Sequence, residues 1–298
     1  MMCRGGLVCL RLMVVWLTAL TLCGCETLMV RRSVDGAEGP ELQPQRQQGR
    51  ASIGVAARYA GGRKGRVHER FTIVLDPGHG GDDFGAIGAQ GLLEKDIVLD
   101  VAFELERLLV KNLGFEVVLT RREDVSLPLA ERTAIANDVE ADLFISLHVN
   151  ASPRRRGQGL EVYYLDNTDE SSSIKLAERE NSTSSAGDFP GDLEFMLSDL
   201  IQNAKMADSI MLAHTIGRSV YRRLSMRWRN VKYLGVKRAP FYVLVGAHMP
   251  CILVEMFFVD HPGDAAKLAR VDFRRELAYG IYLGIVEYVR RRKTSVRI

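Results

Sequence analysis

From Phe71 onward the chain alternates short apolar runs with longer stretches whose apolar residues recur at helical spacing. FTIVLD (71–76), FEVVLT (115–120), DLFISLHV (142–149), LEVYYL (160–165), FYVLV (241–245) and CILVEMFF (251–258) have the length and the β-branched or aromatic content of strands. Between the first two, Ile97, Val101, Leu105, Leu108 and Leu109 mark a helical stripe, and Gly114 sits where such a helix would stop. LAERTAIAN after Pro128 reads as a second helix ending near Asn137, and Asp272–Arg290 as a C-terminal amphipathic one. This alternation predicts a single α/β domain over residues 71–298, with about six strands in a mixed, mostly parallel sheet flanked by helices. The interval 166–239 breaks the rhythm. There LAEREN, a Ser/Gly-rich break and a long helical pattern from Leu193 to Leu224 predict a helical insertion.

The N-terminal residues are patterned differently. Arg4 and Arg11 supply positive charge, and LMVVWLTALTL (12–22) is almost wholly apolar yet too short to span a bilayer, as in a cleavable export signal over residues 1–25. Its end, Leu22-Cys23-Gly24-Cys25, resembles a bacterial lipobox, which implies a lipid on Cys25 and attachment to a membrane. Residues 26–70 are rich in Gly, Gln and Arg and read as a flexible tether. Four of the five cysteines fall in the first 25 residues, which argues against a disulfide scaffold, and Cys251 reads as a buried strand residue.

Charge follows the same division. The whole chain holds 40 basic and 37 acidic residues, but residues 71–298 hold 29 basic against 32 acidic. A slightly acidic domain offers no domain-wide basic surface, so nucleic acid is not an expected partner.

Candidate chemistry gathers at strand ends. The first strand runs into Asp76-Pro77-Gly78-His79-Gly80-Gly81, a tight turn that exposes His79; Glu94 opens the first long helix; the third strand ends in Leu147-His148-Val149-Asn150. Two imidazoles and a carboxylate suit Zn²⁺ and leave one tetrahedral position open. Glu255 stands alone among apolar neighbours in CILVEMFF, where a carboxylate must be paired, metal-bound or protonated, and could serve as a general base. Taken singly, a strand-end His is equally a structural residue and a helix-start Glu a capping charge. Spacing alone does not bring the four together. His214 reads as packed on a helix, His248 and His261 as loop residues, and Arg154-Arg155-Arg156 as a solvated loop.

Taken whole, LDPGHGGDDFGAIGAQGLLEKDIVLDVA, TRREDVSLPLAERTAIANDVEADLFISLHVNA and GVKRAPFYVLVGAHMPCILVEMFFVDHPGD closely resemble the zinc-dependent N-acetylmuramoyl-L-alanine amidases of type 3, bacterial cell-wall hydrolases. The resemblance covers nearly all of residues 71–290 and implies one Zn²⁺ held by His79, Glu94 and His148, with Glu255 as catalytic glutamate. The expected substrate is peptidoglycan, cut between N-acetylmuramic acid and L-alanine. SSSIKLAERENSTSS and the helical pattern after it look like the insertion of division-associated relatives, in which a helix covers the zinc site until a partner protein displaces it. Glu178 or Glu180 would then occupy the open zinc position; the alternative is a solvated charge run on an ordinary helix. The resemblance with the leader implies the periplasm or cell envelope, and Glu26 after the lipobox, unlike the usual inner-membrane retention signal, favours the outer membrane over the inner.

One position departs from the family. Phe257 stands where a glycine usually follows the catalytic glutamate, so either strain or a blocked approach is expected there. Two other functions use the same residues: a zinc peptidase or carboxypeptidase acting on stem peptides, and a wall-binding regulatory lipoprotein with weakened turnover.

Overall fold

The computed structural model describes residues 70–88, 91–152, 156–182 and 192–295. The export signal, Cys25, the tether through residue 69, and Arg154 and Arg155 lie outside the described residues. Among the described residues no helix is long and apolar enough to cross a membrane.

In chain order the elements are β1 (Thr72–Pro77), α1 (Glu94–Leu113), β2 (Glu116–Leu119), α2 (Leu129–Asp138), β3 (Leu143–Asn150) and β4 (Leu160–Leu165). There follow α3 (Ser171–Asn181), α4 (Asp192–Ser225), β5 (Tyr233–Ala239), a 3-10 turn at Tyr242–Leu244, β6 (Cys251–Phe258), α5 (Pro262–Leu268) and α6 (Val271–Ser295). The strands form one mixed sheet in the order β2-β1-β3-β6-β4-β5. β1, β2, β3 and β6 are parallel, β4 runs antiparallel to β6, and β5 is parallel to β4.

Period-two alternation gives the sheet two apolar faces. Ile73, Leu75, Ile145, Leu147, Val162, Ile252 and Val254 meet α1, α4 and α6 on one side. Val74, Phe144, Tyr163, Cys251 and Leu253 meet α2, α3 and the segment 239–249 on the other. α1 ends as its sequence requires: Gly114 adopts the left-handed conformation (φ 64°) and its N–H reaches the Val110 carbonyl. The 166–239 interval is helical through α3 and α4, and α4 is part of the main core, burying Leu212, Ala213, Ile216, Val220 and Leu224.

The fifth strand is a correction. FYVLV is not a strand; its centre is the 3-10 turn, and Phe241, Val243 and Leu244 are apolar because they plug the second core face. The strand lies just upstream at YLGVKRA, an edge strand of mostly half-buried residues with charged Arg238 facing solvent, which is how edges resist further pairing.

Phe257 explains its own irregularity. Glu255 and Met256 alternate normally, but the register against β3 shifts between His148 and Asn150, and Phe257 has φ +74°. This bulge turns the Phe257 ring onto the same face as Met256, where it meets Phe273 edge-on at 5.3 Å in the core. The ring therefore points away from the face that carries Glu255, and the departure costs backbone strain without obstructing approach. Phe257→Gly should release about 1–2 kcal/mol of left-handed strain but lose about 3–5 kcal/mol of buried ring. A net destabilisation of about 2 kcal/mol in urea unfolding is expected from those terms; a more stable variant would show that the strain dominates.

Candidate metal centre

The C-terminal ends of β1, β3 and β6 open on one side of the sheet, the usual place for a site in an α/β domain. Alternation along β3 puts Ser146, His148 and Asn150 on that side, opposite Ile145, Leu147 and Val149. Beyond β1 the chain turns through His79 (φ 57°), Gly80 (φ 127°) and Gly81 (φ 62°), a left-handed run that swings the imidazole back over the strand ends. Two other glycines make room for the ligands. A Cβ on Gly78 would lie 2.4 Å from the His148 ring, and one on Gly85 would lie 2.6 Å from both Glu94 and His79.

Four side chains converge there. His79 Nε2 lies 3.2 Å from Glu94 Oε1 and 3.1 Å from Glu180 Oε2; His148 Nδ1 lies 3.1 Å from each of the same oxygens. These four atoms all lie within 4.8 Å of one another. His79, Glu94 and His148 thus come together, and Glu180, from the last turn of α3, completes the group, whereas Glu178 is exposed and stands outside it. Ligands about 2.0–2.1 Å from a tetrahedral metal are about 3.3 Å apart, so the set fits one zinc-sized ion. Two buried atoms of the set, His79 Nε2 and Glu180 Oε2, have no aligned hydrogen bond, which is the signature of groups aimed at a common centre.

The surroundings fix each ligand. Asp83 Oδ2 holds His79 Nδ1 at 2.8 Å, leaving Nε2 to face the cluster. Glu94 Oε2 accepts the Ala86 N–H at 2.7 Å, and Oε1 accepts the Val149 N–H at 2.8 Å. Arg179 donates to Glu180 Oε1 at 2.9 Å and to the Ala151 carbonyl at 2.7 Å. Under the turn, Arg132 donates to Asp76, to the Pro77 carbonyl and to the His79 carbonyl, each at 2.9 Å. Arg121 takes the Pro77 carbonyl at 2.9 Å and the Gly78 carbonyl at 2.8 Å. Three successive turn carbonyls are therefore clamped by two planar guanidinium groups.

Two carboxylates facing two imidazoles make a cluster that calls for positive charge. Burial pulls the His79 imidazole down, but Glu94, Asp83 and Glu180 outweigh it and push it up to about 12. His148 is likewise pulled down by burial and pushed up to about 9, chiefly by Glu180. Burial raises Glu94, but the His79 charge and bonds from both imidazoles bring it down to about 2.

Glu255 has the opposite setting. Paired in register with His148 on β3 and Glu161 on β4, it is fully buried, and neither oxygen has a hydrogen-bond partner. Burial, reinforced by the Glu180 charge, pushes its carboxyl well above the usual range. Its neighbour Glu161 is satisfied by Asn150 at 2.9 Å, Tyr163 at 3.0 Å and Lys237 at 2.9 Å. One carboxylate of this adjacent pair is fully partnered and the other is left able to carry a proton.

The sequence did not single out Asp83, Arg121, Arg132 or Arg179, and only the alternating GGDDF turn next to His79 offered a hint of the first. Half-buried His214 lies on α4, exposed His248 in a loop, and His261 caps α5 by accepting the Asp264 N–H at 3.3 Å; none belongs to the cluster.

Comparison with known proteins gives the same direction. A family model described as N-acetylmuramoyl-L-alanine amidase matches residues 73–287. The chain is 36% identical to AmiC of Neisseria meningitidis serogroup B over 232 residues, covering 76% of this chain and 54% of that protein. It thus spans about half the length of that relative. It is 34% identical to AmiA of Escherichia coli K12 over 224 residues, covering 73% of this chain and 75% of AmiA. Among solved structures, AmiC2 of Nostoc punctiforme matches with TM-score 0.56 and 30% identity over 74% of this chain and 97% of that one.

Proposed function

The chain belongs to the N-acetylmuramoyl-L-alanine amidase family, and from that premise we propose that it is an exported, zinc-dependent peptidoglycan hydrolase. It cleaves the amide joining N-acetylmuramic acid to the L-alanine of the stem peptide. The observation that carries this reading is the convergence of His79, Glu94, His148 and Glu180 beside the unpartnered Glu255.

His79 Nε2, Glu94 Oε1 and His148 Nδ1 would hold the zinc, and Glu180 would take the position that substrate needs. When bound, zinc supplies a Lewis acid that polarises the scissile carbonyl and acidifies water. Glu255 accepts a proton from the attacking water and returns it to the departing nitrogen of L-alanine, a role suited to a buried carboxyl with a raised pKa. The clamped β1–α1 turn keeps His79 in place during that exchange.

Residues 1–25 direct export, Cys25 carries a lipid, and residues 26–70 tether the domain to a membrane facing the wall, the outer one. A partner protein would lift α3 from the site. Metabolic palmitate labelling tests the anchor: Cys25→Ala should lose the label, and equal labelling of both chains would refute it.

Mass spectrometry of peptidoglycan digested by the purified, zinc-assayed protein tests the reaction. Full-length stem peptides that begin with L-alanine and lack sugar support the amidase. Shortened stems would point to a peptidase, and an undigested wall to a binding lipoprotein.

A further inference from the structure

α3 does more at its last turn than place Glu180. The next residue, Asn181, makes a two-point contact with backbone: its Nδ2 donates to the Pro240 carbonyl at 2.9 Å, and the Tyr242 N–H donates to its Oδ1 at 2.8 Å. A carbonyl and an N–H two residues apart on an extended segment are the pair used by a peptide that adds as a neighbouring strand. The intervening Phe241 is extended (φ −76°, ψ 119°), and its buried ring anchors the segment. The Asn181 carboxamide presents a donor and an acceptor on one side, as the N–H and C=O of a single residue in an extended peptide do, so it satisfies this backbone as such a residue would.

We propose that the Pro240 carbonyl and Tyr242 N–H form a subsite for the stem peptide, and that Asn181 fills it while α3 is docked. The inference rests on the amidase reading and specifies where the leaving peptide lies. Its position follows from connectivity. Asn181 directly follows Glu180, whose Oε2 sits in the metal cluster, so the subsite lies about one or two residues of extended chain from the scissile bond. The stem peptide begins at that bond, and its first residues must cross this distance. When α3 leaves, the N–H and C=O of one residue of the peptide, which point the same way in an extended chain, replace the Asn181 carboxamide on residues 240 and 242.

The test uses the full chain carrying Glu180→Ala, to open the site, and a soluble muramoyl-tetrapeptide as substrate. Tyr242→Pro in that background removes the N–H alone, since 242 is the first residue of the 3-10 turn and Phe241 already has the extended conformation that proline requires before it. KM should rise about 3- to 10-fold, the worth of one hydrogen bond, with kcat unchanged. Tyr242→Ala keeps the N–H and should leave KM alone. An unchanged KM in Tyr242→Pro, or an equal rise in both variants, overturns the subsite. Should the proline chain fail to fold, the ¹⁵N–¹H resonance of Tyr242 in the Glu180→Ala chain decides: free tetrapeptide stem should shift it saturably, and no shift overturns the proposal. Absence of any hydrolysis by a Glu180→Ala chain that retains its zinc and native Tyr242 would instead overturn the amidase reading.

Discussion

Glu255→Gln is expected to lower turnover of peptidoglycan by about 10²- to 10⁴-fold, the usual contribution of a general acid–base, while zinc content stays at the wild-type level. Glutamine keeps the shape of the side chain and removes its proton chemistry. Glu255 is also outside the converging ligand set, so the metal site should not notice the change. The fold should tolerate it well, because the carboxylate is fully buried with both oxygens unpartnered. An orphaned acid in an apolar strand lowers stability, and a site that keeps one does so for function. Turnover assays with both proteins at matched zinc occupancy give the answer. Equal clearing of the wall by Glu255→Gln and wild type would remove Glu255 from the mechanism and leave Glu161, its satisfied neighbour, no better candidate.

The alternation of apolar runs and helical stripes made the fold class legible, and the residues that converge were legible only as separate candidates. His79, His148 and Glu255 could be named because each closes an apolar run or interrupts one, and Glu94 because it opens a helix. Those are local signals, and the fold then brings the residues together across the parallel strands β1, β3 and β6. The choice between Glu178 and Glu180 stayed open because both lie in one polar turn, and only the docking phase of α3 buries the second and exposes the first. FYVLV misled for a related reason. Hydropathy reports burial, and this segment is buried as a plug beneath the sheet, whereas the actual strand is an edge whose charged residues mask its pattern. The two clamping arginines were hidden most deeply. In TRRED and LAERT they look like surface cations, yet both are nearly inaccessible and spend their donors on the turn that carries His79. Phe257 shows the converse: the departure from glycine was visible, but its consequence depended on a bulge that only the β3–β6 register reveals.

Glu180→Ala should raise basal turnover by about 10- to 100-fold. The side chain meets both imidazoles at 3.1 Å, and a charged contact of about 1.5–3 kcal/mol corresponds to that range at about 1.4 kcal/mol per tenfold. The remaining hold on α3 is spread over buried Leu176 and Ala177, Arg179, Asn181 and the Glu170–Lys237 ion pair at 3.0 Å, none of which supplies a metal-binding atom. Losing Glu180 therefore weakens docking of the helix and clears the position facing substrate in one step. Glu178→Ala, exposed on the same turn, is the control and should leave turnover unchanged. The alternative assigns Glu180 as a permanent fourth ligand. That predicts the opposite sign, since Glu180→Ala would then lose zinc and activity together. Zinc content and dye release from labelled wall, measured on the same preparations, separate the two. Retained zinc with faster release establishes α3 as a plug, whereas zinc loss makes its glutamate structural. A rise confined to Glu180→Ala would also define what any activating partner has to supply, the few kcal/mol that hold α3 on the site.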